Sequence, residues 1–313
     1  MTGFATVLEI GSILWVSYPT HMTIAAGLLC QNGVLLCADT EHTGWAAKSH
    51  HAKVDHFEVP NGKVAFALAG ASALAWSAIQ KCRKELQQNT SSDLIGYIQE
   101  ILDGEYRRNV LSHPNYTNFD YRLLMAVWTK NGRAQLFSTT ATALTQIQDF
   151  ECIGIGAELA AYLIRPAFAA PSFHDGLTIA AYALACVKDA ITQCGGASIY
   201  LLIRHDGYVG LLTSDHDGPT KELETYSKTF DFMVRRLLLW MANPQLKDEY
   251  FEKNLTEVFA KHVIETRREW SERRKGRIKE LANANSDLTP AQVRAVFDDF
   301  SMGFEPKPSY PEE

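Results

Sequence analysis

The chain has 313 residues, 46% of them hydrophobic, which is enough for one large core or for a core domain carrying an appendage. A charged fraction of 21% and a formal net charge of −6 exclude the composition of a disordered chain and that of a polyanion binder. Six cysteines (Cys30, Cys37, Cys82, Cys152, Cys186 and Cys194) stand singly without CxxC spacing, a pattern of buried reduced thiols rather than of a zinc site.

The first apolar stretch, Val7 to Val16, is shorter than the roughly 18–20 residues a membrane span needs. No Lys or Arg precedes Lys48, so the basic leader of a secretory signal is missing as well. The expected compartment is the cytoplasm.

Four short turn signals then organise the first two-thirds of the chain: Asn32-Gly33, Asn61-Gly62, Asn131-Gly132 and Asp206-Gly207. Each lies between runs that read as strands, the strongest local signature of a β-hairpin. The predicted pairs are 23–31 with 34–40, 53–60 with 63–70, 121–129 with 133–139, and 198–204 with 208–213. In 63–70, Val64, Phe66 and Leu68 share one face and Ala65, Ala67 and Ala69 the other, so this strand is expected to be covered on both sides. Its small-residue face would let a second layer approach closely.

Between the second and third hairpins the spacing predicts helices over 71–88 and from about Ser92 to Val110. Two more are predicted over 156–168 and 174–190, the latter with an apolar stripe through Leu177, Ala180, Leu184, Val187 and Ile191. Antiparallel hairpins with helices delivered in pairs imply an α+β sandwich of four layers, αββα. This domain is expected to span 23–215, preceded by a separate segment, 1–22.

Beyond about residue 216 the pattern is helical, with stretches at 225–242 and 246–275. A third opens at Thr289-Pro290, where Thr289 caps, Pro290 suits the first helical position and Gln292 completes a capping box. Residues 216–303 thus read as a helical extension, and the Pro-rich 304–313 as a loose tail. Seven Lys/Arg within 267–279 read as a solvated face or an intersubunit contact, making nucleic acid an unlikely partner on so acidic a chain. His50, His51 and His56 near Asp55 match no metal-ligand spacing and read as solvated or hydrogen-bonded histidines.

The run from Met22 to Asp39, MTIAAGLLCQNGVLLCAD, resembles the start of a mature proteasome β subunit, an N-terminal-nucleophile (Ntn) hydrolase of threonine type. It also resembles the peptidase ring of the bacterial ATP-dependent protease related to it. In that family a Thr opens the first strand, a Gly-containing turn follows and the second strand ends in Ala-Asp. Counting back from Asp39 places Thr23 at the nucleophile position. The resemblance carries further residues: Lys53 in AKVDHF matches a family lysine, Gly70 the glycine whose N–H forms the oxyanion hole, and Asp189 a second supporting aspartate. Leu68 falls where the family lines its specificity pocket.

The chemistry is intelligible in its own right. A threonine hydroxyl is a poor nucleophile until a base removes its proton. The α-amine of a chain-initial Thr, with a pKa near ~7.7–8.0, is matched to that work at neutral pH. A neighbouring lysine would lower the hydroxyl pKa and keep the amine neutral, with Asp39 orienting the lysine. Thr23 needs a free amine, so either 1–22 is an autocleaved propeptide or translation begins at Met22, whose removal exposes Thr23.

Departures from the family pattern surround these residues. The spacing to Lys53 is two residues short, Thr40-Glu41 replaces Ser-Arg, Gly154-Ile155-Gly156-Ala157 replaces Gly-Ser-Gly-Ser, and Cys194-Gly195-Gly196 replaces Ser-Gly-Gly. The resemblance implies hydrolysis of peptides or unfolded proteins inside a ring of self or paralogous subunits. It further implies a regulatory ATPase as partner, and no cofactor or metal. The same fold also serves non-catalytic ring subunits and amidases of small molecules, and fold alone does not choose among them.

Overall fold

The structure, a computed structural model, describes residues 23–43, 48–88, 93–130 and 132–214, with helical positions at Lys221, Leu223–Thr225, Ser227, Ile264, Glu265, Arg268 and Glu272. Segment 1–22, most of the extension at 216–303 and the tail at 304–313 lie outside the described residues.

Strands β1 (Ile24–Cys30) and β2 (Gly33–Asp39) form the first hairpin, closed at Cys30 opposite Gly33. A short ribbon follows, β3 (Glu41–Thr43) with β4 (Lys48–His50). The second hairpin is β5 (Val54–Val59) and β6 (Gly62–Gly70). Helices α1 (Ser72–Gln88) and α2 (Leu94–Tyr106) come next, and a π-helical turn at Arg107–Leu111 extends the latter. The α2 start is fixed by Asp93, whose carboxylate accepts the Gly96 N–H at 2.9 Å.

Strands β7 (Tyr121–Thr129), β8 (Gln135–Thr140), β9 (Ala143–Ile147) and β10 (Phe150–Gly154) follow. Helices α3 (Ala157–Ile164) and α4 (Phe173–Ala190) lead to the last hairpin, β11 (Ser198–Arg204) with β12 (Val209–Thr213). All four predicted hairpins and all four predicted helices of the domain are present. Two additions were not anticipated: the β3–β4 ribbon, and strands β9 and β10, which pair with β8 and β1 respectively. The turn from β8 to β9 runs through Ala141 at φ 50°, an alanine in a conformation that glycine or asparagine usually announces.

The strands form two five-stranded sheets, ordered β10-β1-β2-β11-β12 and β5-β6-β7-β8-β9. Helices α1 and α2 cover the second sheet through a core containing Val64, Phe66, Leu68, Ile79 and Ile98. Helices α3 and α4 cover the first through Ile24, Leu28, Leu35, Leu177 and Leu184. Between the sheets lie Ala25, Ala38, Ala65, Ala67, Ala69, Leu124 and Leu136. This is the αββα sandwich. The alanines of β6 face the opposite sheet, as their alternation requires, and a Cβ placed on Gly27 would stand 2.8 Å from Leu136 Cδ1. At Gly27 the sheets are thus seated too closely for a side chain.

At one end of the sandwich the turns interlock. The Trp128 indole N–H donates to the His205 carbonyl at 2.9 Å, and the Ala134 N–H donates to His205 Nδ1 at 3.2 Å. Burial, with the Arg133 charge adding to it, lowers the His205 pKa, and the neutral ring is the form whose Nδ1 accepts the Ala134 N–H. Among the described residues no helix is long and apolar enough to cross a membrane.

Two expectations follow. Because the two faces of β6 are packed differently, Phe66→Ala should cost about 3–5 kcal/mol by cavity formation. Ala67→Leu should cost about 1–3 kcal/mol by overpacking the sheet interface, both read by denaturant unfolding. For His205 the folded pKa lies below the unfolded one near ~6.5, so its contribution is intact above that pH and is lost as pH falls through the folded pKa. A His205→Gln variant, which keeps a side-chain acceptor, should show a flatter loss of stability below about pH 6.5 than the parent chain.

Candidate active site

Neighbouring strand ends of the first sheet and one strand start of the second converge at the other end. Ala25 pairs with Ala38 and Ile24 with Gly154, so the residue ahead of β1, Thr23, lies between the last residue of β2 and the end of β10. Lys53 immediately precedes β5 and enters from the opposite sheet. All three polar residues are enclosed: Thr23 is 3% exposed, Asp39 0% and Lys53 3%.

Their contacts form one closed set. The Thr23 hydroxyl donates to Asp39 Oδ1 at 2.5 Å, and the same oxygen accepts the Ile24 N–H at 3.2 Å. The Lys53 ammonium forms an ion pair with Asp39 Oδ1 at 2.7 Å and donates to Thr23 Oγ1 and to the Glu41 carbonyl oxygen. An ammonium has three hydrogens, and all three are engaged. Burial lowers the Lys53 pKa by removing water from the charged form, while Asp39 opposes that loss. A lysine poised in this way stabilises negative charge on Thr23 Oγ1 and yields a proton more readily than a solvated one.

Glycines set the backbone around these groups. Gly154, at φ +99°, lies so close to Thr23 that a Cβ would fall 2.2 Å from the Thr23 carbonyl oxygen. The Gly156 N–H donates to that same oxygen at 3.4 Å. The Gly154–Ala157 run therefore holds Thr23 through its backbone. Gly70 ends β6 at φ +101°. The Leu68 N–H donates to the Lys53 carbonyl on the β5 side, and the Ala71 N–H donates to the Asp120 carbonyl on the β7 side. Strand alternation turns the Gly70 N–H to the β5 side, beyond the Leu68 bond to Lys53.

Asp189 is placed elsewhere. It is exposed on the last turn of α4, and the segment beyond it supplies a different group. The Gly195 N–H donates to Asp39 Oδ2 at 3.0 Å. At this position the structure thus brings a backbone donor to Asp39 and leaves Asp189 exposed. Sequence reasoning also missed the Glu41 carbonyl as a partner of Lys53; the doubled glycine at 195–196 was the one available signal for the former. Cys194 is buried beside these groups, its thiol pushed up to about 12 first by burial and then by Asp39, so it stays protonated. Leu68 is 1% exposed in the core shared with α1, enclosed rather than lining an open face. The Asp55 carboxylate near the histidines is engaged by Arg83.

The comparisons with known proteins agree with this geometry. A family model described as proteasome subunit matches residues 21–201. Among solved structures, a Gly-1 mutant of Anbu from Hyphomicrobium sp. strain MC1 aligns with a TM-score of 0.60 at 13% identity, over 71% of this chain and 100% of that one. The helical assembly of the Anbu complex from Pseudomonas aeruginosa gives 0.60 at 13% identity, over 73% and 100%. Anbu (ancestral beta-subunit) from Yersinia bercovieri gives 0.60 at 14%, over 72% and 99%. At these identities the likeness is one of fold. No curated protein sequence matches.

Asp39 is wholly buried and Lys53 is its ion-pair partner, so Lys53→Met should leave an uncompensated charge and lower stability by about 3–5 kcal/mol, measured by thermal or denaturant unfolding.

Proposed function

The chain belongs to the proteasome subunit family, and from that premise we propose that it is a threonine-type hydrolase that cleaves peptide bonds through an acyl-enzyme on Thr23. The observation that carries this reading is the Lys53 ammonium donating to the Thr23 hydroxyl while paired with buried Asp39. A structural core has little use for a threonine hydroxyl shared between an ammonium and a carboxylate, because burying such a set costs desolvation that apolar packing avoids.

In the proposed reaction, Thr23 Oγ1 attacks the scissile carbonyl as its proton passes to the Thr23 α-amine, directly or through a water. Lys53 stabilises the developing alkoxide, and the Gly70 N–H accepts the role of donor to the carbonyl oxygen as it becomes an oxyanion. The protonated amine then gives its proton to the leaving amine, an ester to Thr23 Oγ1 remains, and water attacking by the same route releases the acid. All of this requires that residues 1–22 no longer precede Thr23. Gly195, rather than Asp189, completes the support of Asp39. By analogy with the helically assembled Anbu complex, the chain is also proposed to assemble with copies of itself.

Intact-mass measurement with and without a threonine-directed β-lactone tests the reading. The expected result is a mature chain beginning at Thr23 that gains one adduct, located on Thr23 and lost in Thr23→Ala. Peptide hydrolysis by Lys53→Ala should fall by about 10²–10⁴ in kcat/KM. A chain that keeps residues 1–22 and takes no adduct would instead identify a non-catalytic subunit of the same family.

A further inference from the structure

The Gly195 N–H fixes the outer oxygen of Asp39, yet the loop that carries it has little stiffness of its own. Two consecutive glycines, Gly195 and Gly196, form its centre, and Gly196 adopts φ +70°. On one side the loop is tied to the end of β2, where the Thr40 N–H donates to the Ala197 carbonyl at 2.9 Å and the Glu41 N–H to the Gly195 carbonyl at 3.1 Å. On the other side stands Lys188 of α4. Its ammonium donates to the Gly196 carbonyl at 3.3 Å and to Ser198 Oγ at 2.8 Å.

The third hydrogen of that ammonium reaches Glu224 Oε2 at 2.8 Å, and the other oxygen of Glu224 accepts the Tyr200 hydroxyl at 3.0 Å. Glu224 lies in the C-terminal extension. Its neighbour Leu223 is buried in the same core as Tyr200 and the inner face of α4. Lys188 and Glu224 are only 8% and 11% exposed, so each charge depends on the other for compensation. Without the carboxylate, the ammonium gains by turning toward water, which would release both the Gly196 carbonyl and Ser198.

We infer that Glu224 is a positioning residue for the active site, acting through Lys188 to hold the 194–198 loop so that the Gly195 N–H stays on Asp39. The described residues Leu223 and Glu224 thereby belong with the site-bearing domain. This inference rests on the reading of Thr23, Asp39 and Lys53 as the reacting centre.

The test uses the full chain and two variants: Glu224→Gln, which keeps an acceptor for Tyr200 and removes the charge, and Glu224→Gln combined with Lys188→Met, which leaves no unpaired buried charge. Hydrogen exchange over residues 191–198 should accelerate about tenfold in both, the scale of losing a hydrogen bond to a charged group, with β6 and β7 unchanged. The maximal rate of β-lactone labelling at Thr23 should fall about tenfold while the half-saturating probe concentration holds, as expected for loss of support to Asp39 rather than of probe binding. The double variant should recover thermal stability without recovering loop protection or labelling. Unchanged exchange and labelling in both variants, or recovery of labelling together with stability in the double, would overturn the inference. If the parent chain takes no label while the loop still responds to Glu224→Gln, the hydrolase reading falls and the restraint on Asp39 stands.

Discussion

A carboxylate sealed from water at the end of one sheet must find its counter-charge inside the protein, and Asp39 finds it in Lys53 of the other sheet. The two residues meet where the sheets face each other, and alanines of β1, β2 and β6 together with Gly27 let those sheets approach. Burial alone would favour the neutral form of Lys53. Mutual pairing, three acceptors around the ammonium and backbone N–H donors on both oxygens of Asp39 keep the charges in place. Thr23 is held in that field with its hydroxyl oxygen already in contact with the cation.

The surrounding glycines follow from the same geometry. Gly154 admits the Thr23 backbone against β10, and Gly70 ends β6 at φ +101°, tight against the backbone of Asp120 and Tyr121. A side chain at either position would meet backbone atoms, so the constraint is steric and local. The 154–157 and 194–196 segments meet Thr23 and Asp39 through backbone donors, with a buried thiol beside them that stays protonated. The support of these side chains from those segments is therefore carried by main chain.

Main-chain support is only as firm as the loop that presents it. The 194–198 segment is gripped between the end of β2 and Lys188, and Lys188 draws its compensation from Glu224. A buried ion pair of this kind adds little net stability, but it specifies one arrangement over its competitors. Here the arrangement specified is the position of a single amide hydrogen.

Much of the architecture was legible in the residues themselves. Asn-Gly and Asp-Gly pairs marked the hairpins because few other dipeptides accept their turn conformations. The alternation of β6 told which face meets helices and which meets the other sheet. The order Thr23, Asp39, Lys53, Gly70 along successive strands located the site. The passage through β9 and β10 was not legible, since its turn uses an alanine at positive φ and carries no such marker. Asp189 was matched to a supporting aspartate by its position along the chain, and the structure leaves it exposed on the last turn of α4. By itself the sequence determined the layers, the pairing of the hairpins and the candidate side chains Thr23, Asp39 and Lys53 that the fold brings together, because these depend on periodicity and on residue type. Only the tertiary structure decided which amide points at Asp39 and which carboxylate steadies it. Backbone N–H groups are alike at every residue, and their aim is set by the path of the chain.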